Sequence, residues 1–292
     1  MKAYNPKEWF SVLFFFQKSD TLLRLGPLLV LIFVYSLGVA YIELEYLQVA
    51  KNSWVQYIPT MHSLLSFVIS MLLVFRINSA YDRWWEGRKL WGSLVNSSRN
   101  LALKLSAMLP IDDYDNRLFF KYSIPSFAFG LKDHLQLENT QFILDENYNP
   151  DMASIDVEKH VPNQIARLIF SQVNQLYQQG KITGDQLIIL NNEVTSFTDI
   201  CGACERIKNT PIPFSYGSFI KKFIMLYVLT LPIGYVFTMG YYAALLVTFI
   251  FYVLGSLELV AEEIEEPFGK DPNDLPMDKL SLMIRKHVSE LL

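Results

Sequence analysis

The stretch FIMLYVLTLPIGYVFTMGYYAALLVTFIFYVLGSL, residues 223–257, contains no Asp, Glu, Lys, Arg or His. As one helix rising 1.5 Å per residue it would be about 52 Å long, too long for one crossing of the roughly 30 Å of hydrocarbon in a bilayer. It must fold back on itself. Gly234, Gly240 and the pair Tyr241 and Tyr242 lie near its middle. The stretch therefore predicts two antiparallel spans, 223–238 and 241–259, joined by a tight turn around Phe237 to Tyr242, with Pro232 kinking the first of them.

Two earlier stretches have the same character. Gly26 to Ile42 is uncharged and extends through Tyr46 if Glu43 and Glu45 reach the interface, giving a span over 26–46. Tyr57 to Phe75 holds only His62 as an ionisable group and gives a span over 57–76. Inside lipid every backbone amide has to be hydrogen-bonded within its own segment, so all four spans are helices. Of the 292 residues, 51% are hydrophobic and 18% charged, more apolar than a soluble domain of this length. The expectation is an all-α integral membrane protein with four transmembrane helices.

Cations near the span ends set the direction, because positively charged loops stay cytoplasmic. Lys18 and Arg24 precede the first span, Arg76, Arg83, Arg88 and Lys89 follow the second, and Lys221 and Lys222 precede the third. The loop between the first two spans offers only Lys51, and the turn between the last two has no charge. Both termini are therefore expected in the cytoplasm, with residues 77–222 forming a cytosolic helical domain and 260–292 a cytosolic tail. Helical spacing recurs at Leu90, Leu94, Leu101, Leu105 and Leu109, and again at Ile165, Leu168, Ile169, Val173 and Leu176. The polar stretch Leu137 to Asn163 reads as an irregular excursion between helices. Residues 1–25 mix charges with Trp9, Phe10 and Phe14 to Phe16 and lack the apolar core of a signal peptide, so they read as an amphipathic segment at the membrane surface.

The net charge of -4 and the scatter of Lys and Arg exclude a nucleic-acid partner. No Ser/His/Asp arrangement, phosphate-cradling glycine loop or His-Glu-x-x-His motif occurs, so neither an enzyme nor a cofactor is expected. Cys201 and Cys204 have the spacing of a redox or zinc pair, but with no second pair in the chain helix packing is the favoured reading. Glu258, Glu262, Glu263, Glu265 and Glu266 leave the fourth span and meet Asp271, Asn273 and Asp274. They form either a solvated helix end or an oxygen-rich cation site without EF-hand spacing. On the second span, Ser63, Phe67, Met71 and Phe75 recur every fourth residue and share one face, with Ser66 and Ser70 beside it. Spacing alone leaves that stripe open between lipid contact, core and pore lining.

Three motifs resemble the bestrophin family. Arg83-Trp84-Trp85, continuing through Gly87 and Trp91 to Arg99-Asn100-Leu101, is similar to the segment that follows the pore helix of bestrophins. Cys201-Gly202-Ala203-Cys204-Glu205-Arg206-Ile207, leading to Thr210-Pro211-Ile212-Pro213-Phe214, resembles the bacterial branch, and Glu265-Glu266-Pro267-Phe268-Gly269 through Pro276 is the third. Their order and the four-span topology extend the likeness over nearly the whole chain.

The resemblance implies a passive ion channel, a homopentamer in membrane lipid around one central pore for small monovalent ions. It puts a hydrophobic neck at Phe67, Met71 and Phe75, where stacked apolar rings gate by dewetting. It puts a second constriction at the cytosolic exit near Asp185 and Gln186, with Ile182 as the apolar alternative. A ring of Asp185 carboxylates would favour cations, as in some bacterial members, so cation passage is the expectation, with an anion-selective channel, as in animal members, the alternative. Animal bestrophins also hold calcium near the end of the fourth span. Here Lys270, Pro272 and Asn273 interrupt the acidic run and leave Glu263, Glu266, Asp271 and Asp274 as a vestigial clasp, so weak or absent calcium dependence is expected. Two competing readings are a secondary transporter, for which His62 is the one intramembrane candidate, and a non-conducting membrane scaffold.

Overall fold

A computed structural model describes residues 21–47, 57–136 and 155–292. Helix α1 runs Thr21–Tyr41 and continues as a wider π-helical turn over Ile42–Leu47. Then come α2 (Ile58–Met108), α3 (Tyr114–Gln136), α4 (Val161–Gln178), α5 (Gly184–Asn209), α6 (Phe214–Met239), α7 (Tyr242–Glu265) and α8 (Met277–Leu291). Four of these, α1, α2, α6 and α7, are long and apolar enough to cross a membrane.

The fold-back near residue 240 is where the sequence places it. Gly240 ends α6 with φ 56°, a left-handed conformation that glycine adopts without steric cost, and α7 starts at Tyr242. The helices run beyond the expected spans, however. α6 begins at Phe214 instead of 223 and contains Lys221 and Lys222, α7 runs on to Glu265 instead of 259, and α6 passes through Pro232 without ending. Backbone hydrogen bonding does not stop at a bilayer surface, so charged residues mark where a helix leaves lipid and not where it stops.

The largest such correction is α2. The expected span 57–76 and the leucine-patterned helix after Trp85 are one unbroken helix of 51 residues, about 77 Å at 1.5 Å per residue. Another concerns the excursion expected over 137–163. Residues 155–160 are non-helical, but Val161–Asn163 already belong to α4, because His160 caps it by accepting the Asn163 N–H at 3.2 Å on Nδ1. Most of that excursion, and the amphipathic segment expected over 1–25 apart from Thr21 to Leu25, lie outside the described residues.

Two hydrophobic cores share the α2 shaft. The first half of α2 packs with α1, α6 and α7 through Leu25, Ile32, Ile69, Leu73, Ile224, Leu231 and Phe251. The second half packs with α3, α4, α5 and α8 through Trp91, Leu94, Leu101, Phe127, Ile165, Phe197 and Ile284. At the junction Arg76 is buried, with Nη2 2.7 Å from Glu265 and Nε 3.5 Å from Glu258. A charge taken out of water there requires such partners.

The three sequence motifs meet just beyond this junction. Arg83 donates to the carbonyls of Ile207 (2.6 Å), Glu265 (3.0 Å) and Thr210, so one guanidinium caps the C-termini of both α5 and α7. Trp84 Nε1 donates to the Asn273 carbonyl at 3.0 Å, Arg206 pairs with Glu86 at 2.7 Å, and the Ile212 N–H donates to Glu265 at 2.9 Å. Phe268 and Leu275 lie directly against Gly87.

Candidate functional site

The described part of α2 leaves one helical face uncovered along its length. Phe67, Met71 and Phe75 are 71%, 50% and 52% exposed, while Ile69, Leu73 and Arg76 on the opposite side are buried. Following the helical period onward, Asn78, Asp82, Trp85, Lys89, Ser93, Asn96 and Asn100 are exposed as well. The stripe is thus apolar where the helix can span a membrane and mostly polar beyond it, with Trp85, Leu103 and Ala107 the apolar exceptions. Ser63, Ser66 and Ser70 flank the apolar part, and their hydroxyls donate to the carbonyls of Thr60 (3.0 Å), Ser63 (2.7 Å) and Ser66 (2.7 Å). The helix itself satisfies these groups, which removes most of the cost of placing them near lipid or in a dry conduit.

His62 is absorbed into packing. Its ring is buried, with Nδ1 2.9 Å from the Ile58 carbonyl, Nε2 2.9 Å from Thr230 Oγ1, and the ring tilted on Tyr227 at 5.3 Å. Protein groups engage both ring nitrogens, so packing accounts for the side chain.

The residues expected at the cytosolic exit have three different surroundings. Asp185 is exposed in the first turn of α5, where a carboxylate suits the positive end of the helix. Gln186 is committed to a capping box: its side chain accepts the Thr183 N–H at 2.9 Å, and its own N–H donates to Thr183 Oγ1 at 3.3 Å. Ile182 is only 4% exposed and belongs to the core around the second half of α2, which corrects its place as the apolar alternative. A gapless count locates a residue along the chain but not the direction of its side chain. The exposed apolar residues here are Ile188 and Ile189, three and four positions after Asp185 and hence on its side of the helix. That spacing was readable, but nothing in the sequence marked these two as uncovered.

The acidic residues after α7 are engaged mainly with nearby groups. Glu263 is buried, pairs with Arg24 of α1 through Oε1, and accepts Asn273 Nδ2 at 2.7 Å through Oε2. Asp274 is buried, accepts the Asp271 N–H at 2.5 Å and fills the space where Gly269 would otherwise carry a Cβ, 2.7 Å from Oδ2. Burial, followed by the charges of Asp271, Glu266 and Glu263, outweighs that hydrogen bond and pushes the Asp274 carboxyl up to about 7. Among the described residues, no three of Glu263, Glu266, Asp271 and Asp274 converge to ligand distance of one another.

Cys201 and Cys204 are buried on α5 with free thiols, and burial pushes Cys201 up to about 12 and raises Cys204 as well. Neither is poised as a thiolate.

Comparison with known proteins gives consistent results. The profile described as Bacterial/Fungal Bestrophin protein matches residues 1–290. A voltage-dependent anion channel-forming protein of Synechocystis sp. is 30% identical over 296 residues, covering 99% of this chain and 93% of that protein. A protein of the same description from Nostoc sp. is 33% identical over 230 residues, covering 77% of this chain and 75% of its own. Among solved structures, a point mutant of a bacterial bestrophin homologue from Klebsiella pneumoniae superposes with TM-score 0.79 at 26% identity, over 92% of this chain and 98% of that one.

Proposed function

The chain belongs to the bacterial/fungal bestrophin family, and on that premise we propose that it is a passive ion channel in which copies of α2 surround a shared axis as a homopentamer. One observation carries the proposal: the face of α2 bearing Phe67, Met71 and Phe75 is left bare by the chain's own helices and continues as a largely polar face for the rest of a 51-residue rod. A conduit whose dry neck opens into a wetter vestibule has this pattern; a helix leaving lipid for water changes character in the same way, and the likeness to bestrophins is what favours the conduit.

In this reading the rings of Phe67, Met71 and Phe75 form the neck and small monovalent ions pass when it is wetted. Both termini and the bundle of α3, α4, α5 and α8 lie in the cytoplasm. The names of the relatives, voltage-dependent anion channel-forming proteins, favour anions as the permeant species. Asp185 supports the cation alternative, because it is exposed beside Ile188 and Ile189 where a ring of copies would put carboxylates at the exit. Calcium is not required for opening, since Glu263 is occupied by Arg24 and Asn273.

Purified protein in liposomes tests the reading. Rapid, uncoupled dissipation of an ion gradient, with five-fold symmetry of the particle down the membrane normal, is expected. Folded particles that carry no flux, or a monomer, would overturn it.

A further inference from the structure

We propose that His134, His160 and Glu205 form a binding site for a divalent transition-metal ion, Zn²⁺ in particular, on the cytosolic bundle. The site is independent of the conduit, and no residue of the α2 stripe takes part in it.

Three helices bring the ligands together. His134 lies in the last turn of α3, His160 is the N-cap of α4, and Glu205 projects from α5. Both Nε2 atoms lie 2.6 Å from the same Glu205 Oε1, the two rings are 4.4 Å apart, and the ligand atoms all fall within 4.8 Å of one another. Among the described residues no other group of His, Cys, Asp or Glu converges in this way. Two imidazoles and a carboxylate are a donor set that zinc accepts, with a fourth position left for water. All three side chains are partly exposed, so an ion and its water can reach them.

Lys208 donates to the His134 carbonyl at 3.2 Å, which holds the end of α3 against α5. The Cys201 thiol, one turn before Glu205, hydrogen-bonds that carboxylate and lies outside the converging group of ligand atoms.

Ligation requires two adjustments. Ligands at about 2.0–2.1 Å from zinc are about 3.4 Å apart in a tetrahedron, so each Nε2 has to move less than 1 Å from Glu205 Oε1. Binding zinc through Nε2 also puts the His160 proton on Nδ1, which gives up the 3.2 Å cap to the Asn163 N–H. Both changes fall on partly exposed side chains. The ion in return ties the end of α3, the start of α4 and the C-terminal end of α5 into one joint.

The test uses full-length protein in detergent, free of any polyhistidine tag and stripped with chelator. Titration with Zn²⁺ should load one ion per chain and raise the melting temperature by several degrees. His134→Gln with His160→Gln, and separately Glu205→Gln, should weaken binding more than about tenfold and abolish the rise. A wild-type spectrum with Co²⁺ needs no variant to fold: visible bands of a four- or five-coordinate ion are expected, removable by chelator. Wild type without those bands, variants that bind as tightly as wild type, or a thiolate charge-transfer band placing the ion on the cysteine pair would each overturn the site.

Discussion

Gly87 and Phe268 are in contact so close that a Cβ on the glycine would meet the phenyl ring at 3.1 Å and Leu275 at 3.2 Å. Phe268 is fully buried, so the ring has nowhere to go. Gly92, five residues further along the same helix, faces only the tip of Arg88 at 3.5 Å. Alanine in a helix gains about 1 kcal/mol over glycine, whereas overpacking a closed core costs about 1–3 kcal/mol. The two glycines should therefore respond with opposite signs. Gly92→Ala is expected to raise the melting temperature and Gly87→Ala to lower it, read by thermal unfolding of the detergent-solubilised protein.

The proposed neck makes a prediction about flux. Replacing Phe67, Met71 and Phe75 by alanine widens an apolar constriction and should increase ion flux severalfold, because a wider apolar pore stays wet. Proteoliposome flux from variants that elute like wild type measures it. Unchanged flux would return the stripe to lipid.

The sign of the permeant ion can be read from one carboxylate. With Asp185 exposed at the start of α5, Asp185→Asn should shift the reversal potential in a NaCl gradient toward anions. A mutant that reverses where wild type does would remove Asp185 from the exit.

Asp274 gives a pH signature. Its carboxyl, pushed up to about 7 in the folded chain from the ordinary 3.8, favours the folded state fully below the unfolded value, and that contribution is lost as pH rises through about 7. Asp274→Asn should accordingly melt above wild type at about pH 8 and show no such advantage at about pH 5. Parallel melting curves for the two proteins across this range would contradict the burial argument.

Calcium supplies a further check. Bilayer currents are expected to persist in chelator, because Glu263 already has Arg24 and Asn273 as partners. Currents that appear only with added calcium would overturn this.

Much of the fold was legible because membrane burial leaves coarse marks. A charge-free run too long for one crossing, with Gly240 near its centre, dictates a hairpin, and the pattern Ile165, Ile169, Val173 and Leu176 marks the buried side of α4. The continuity of α2 was not legible. Arg76, Arg83 and Arg88 read as the end of a span, and only tertiary contacts reveal that the first two turn inward to Glu265 and the α5 carbonyls. Side-chain direction at the exit was equally out of reach, as Ile182 shows. The histidine cluster joins residues 71 and 45 positions from Glu205, and no local pattern encodes such a meeting.

The unbroken α2 shaft has a mechanical consequence. From Met108 to Phe67 it is about 62 Å long at 1.5 Å per residue, so tilting it by about 2° about its C-terminal end would sweep the phenyl group through about 2 Å. A partner, a ligand or a metal bound to the far bundle would thus move Phe67 without touching it.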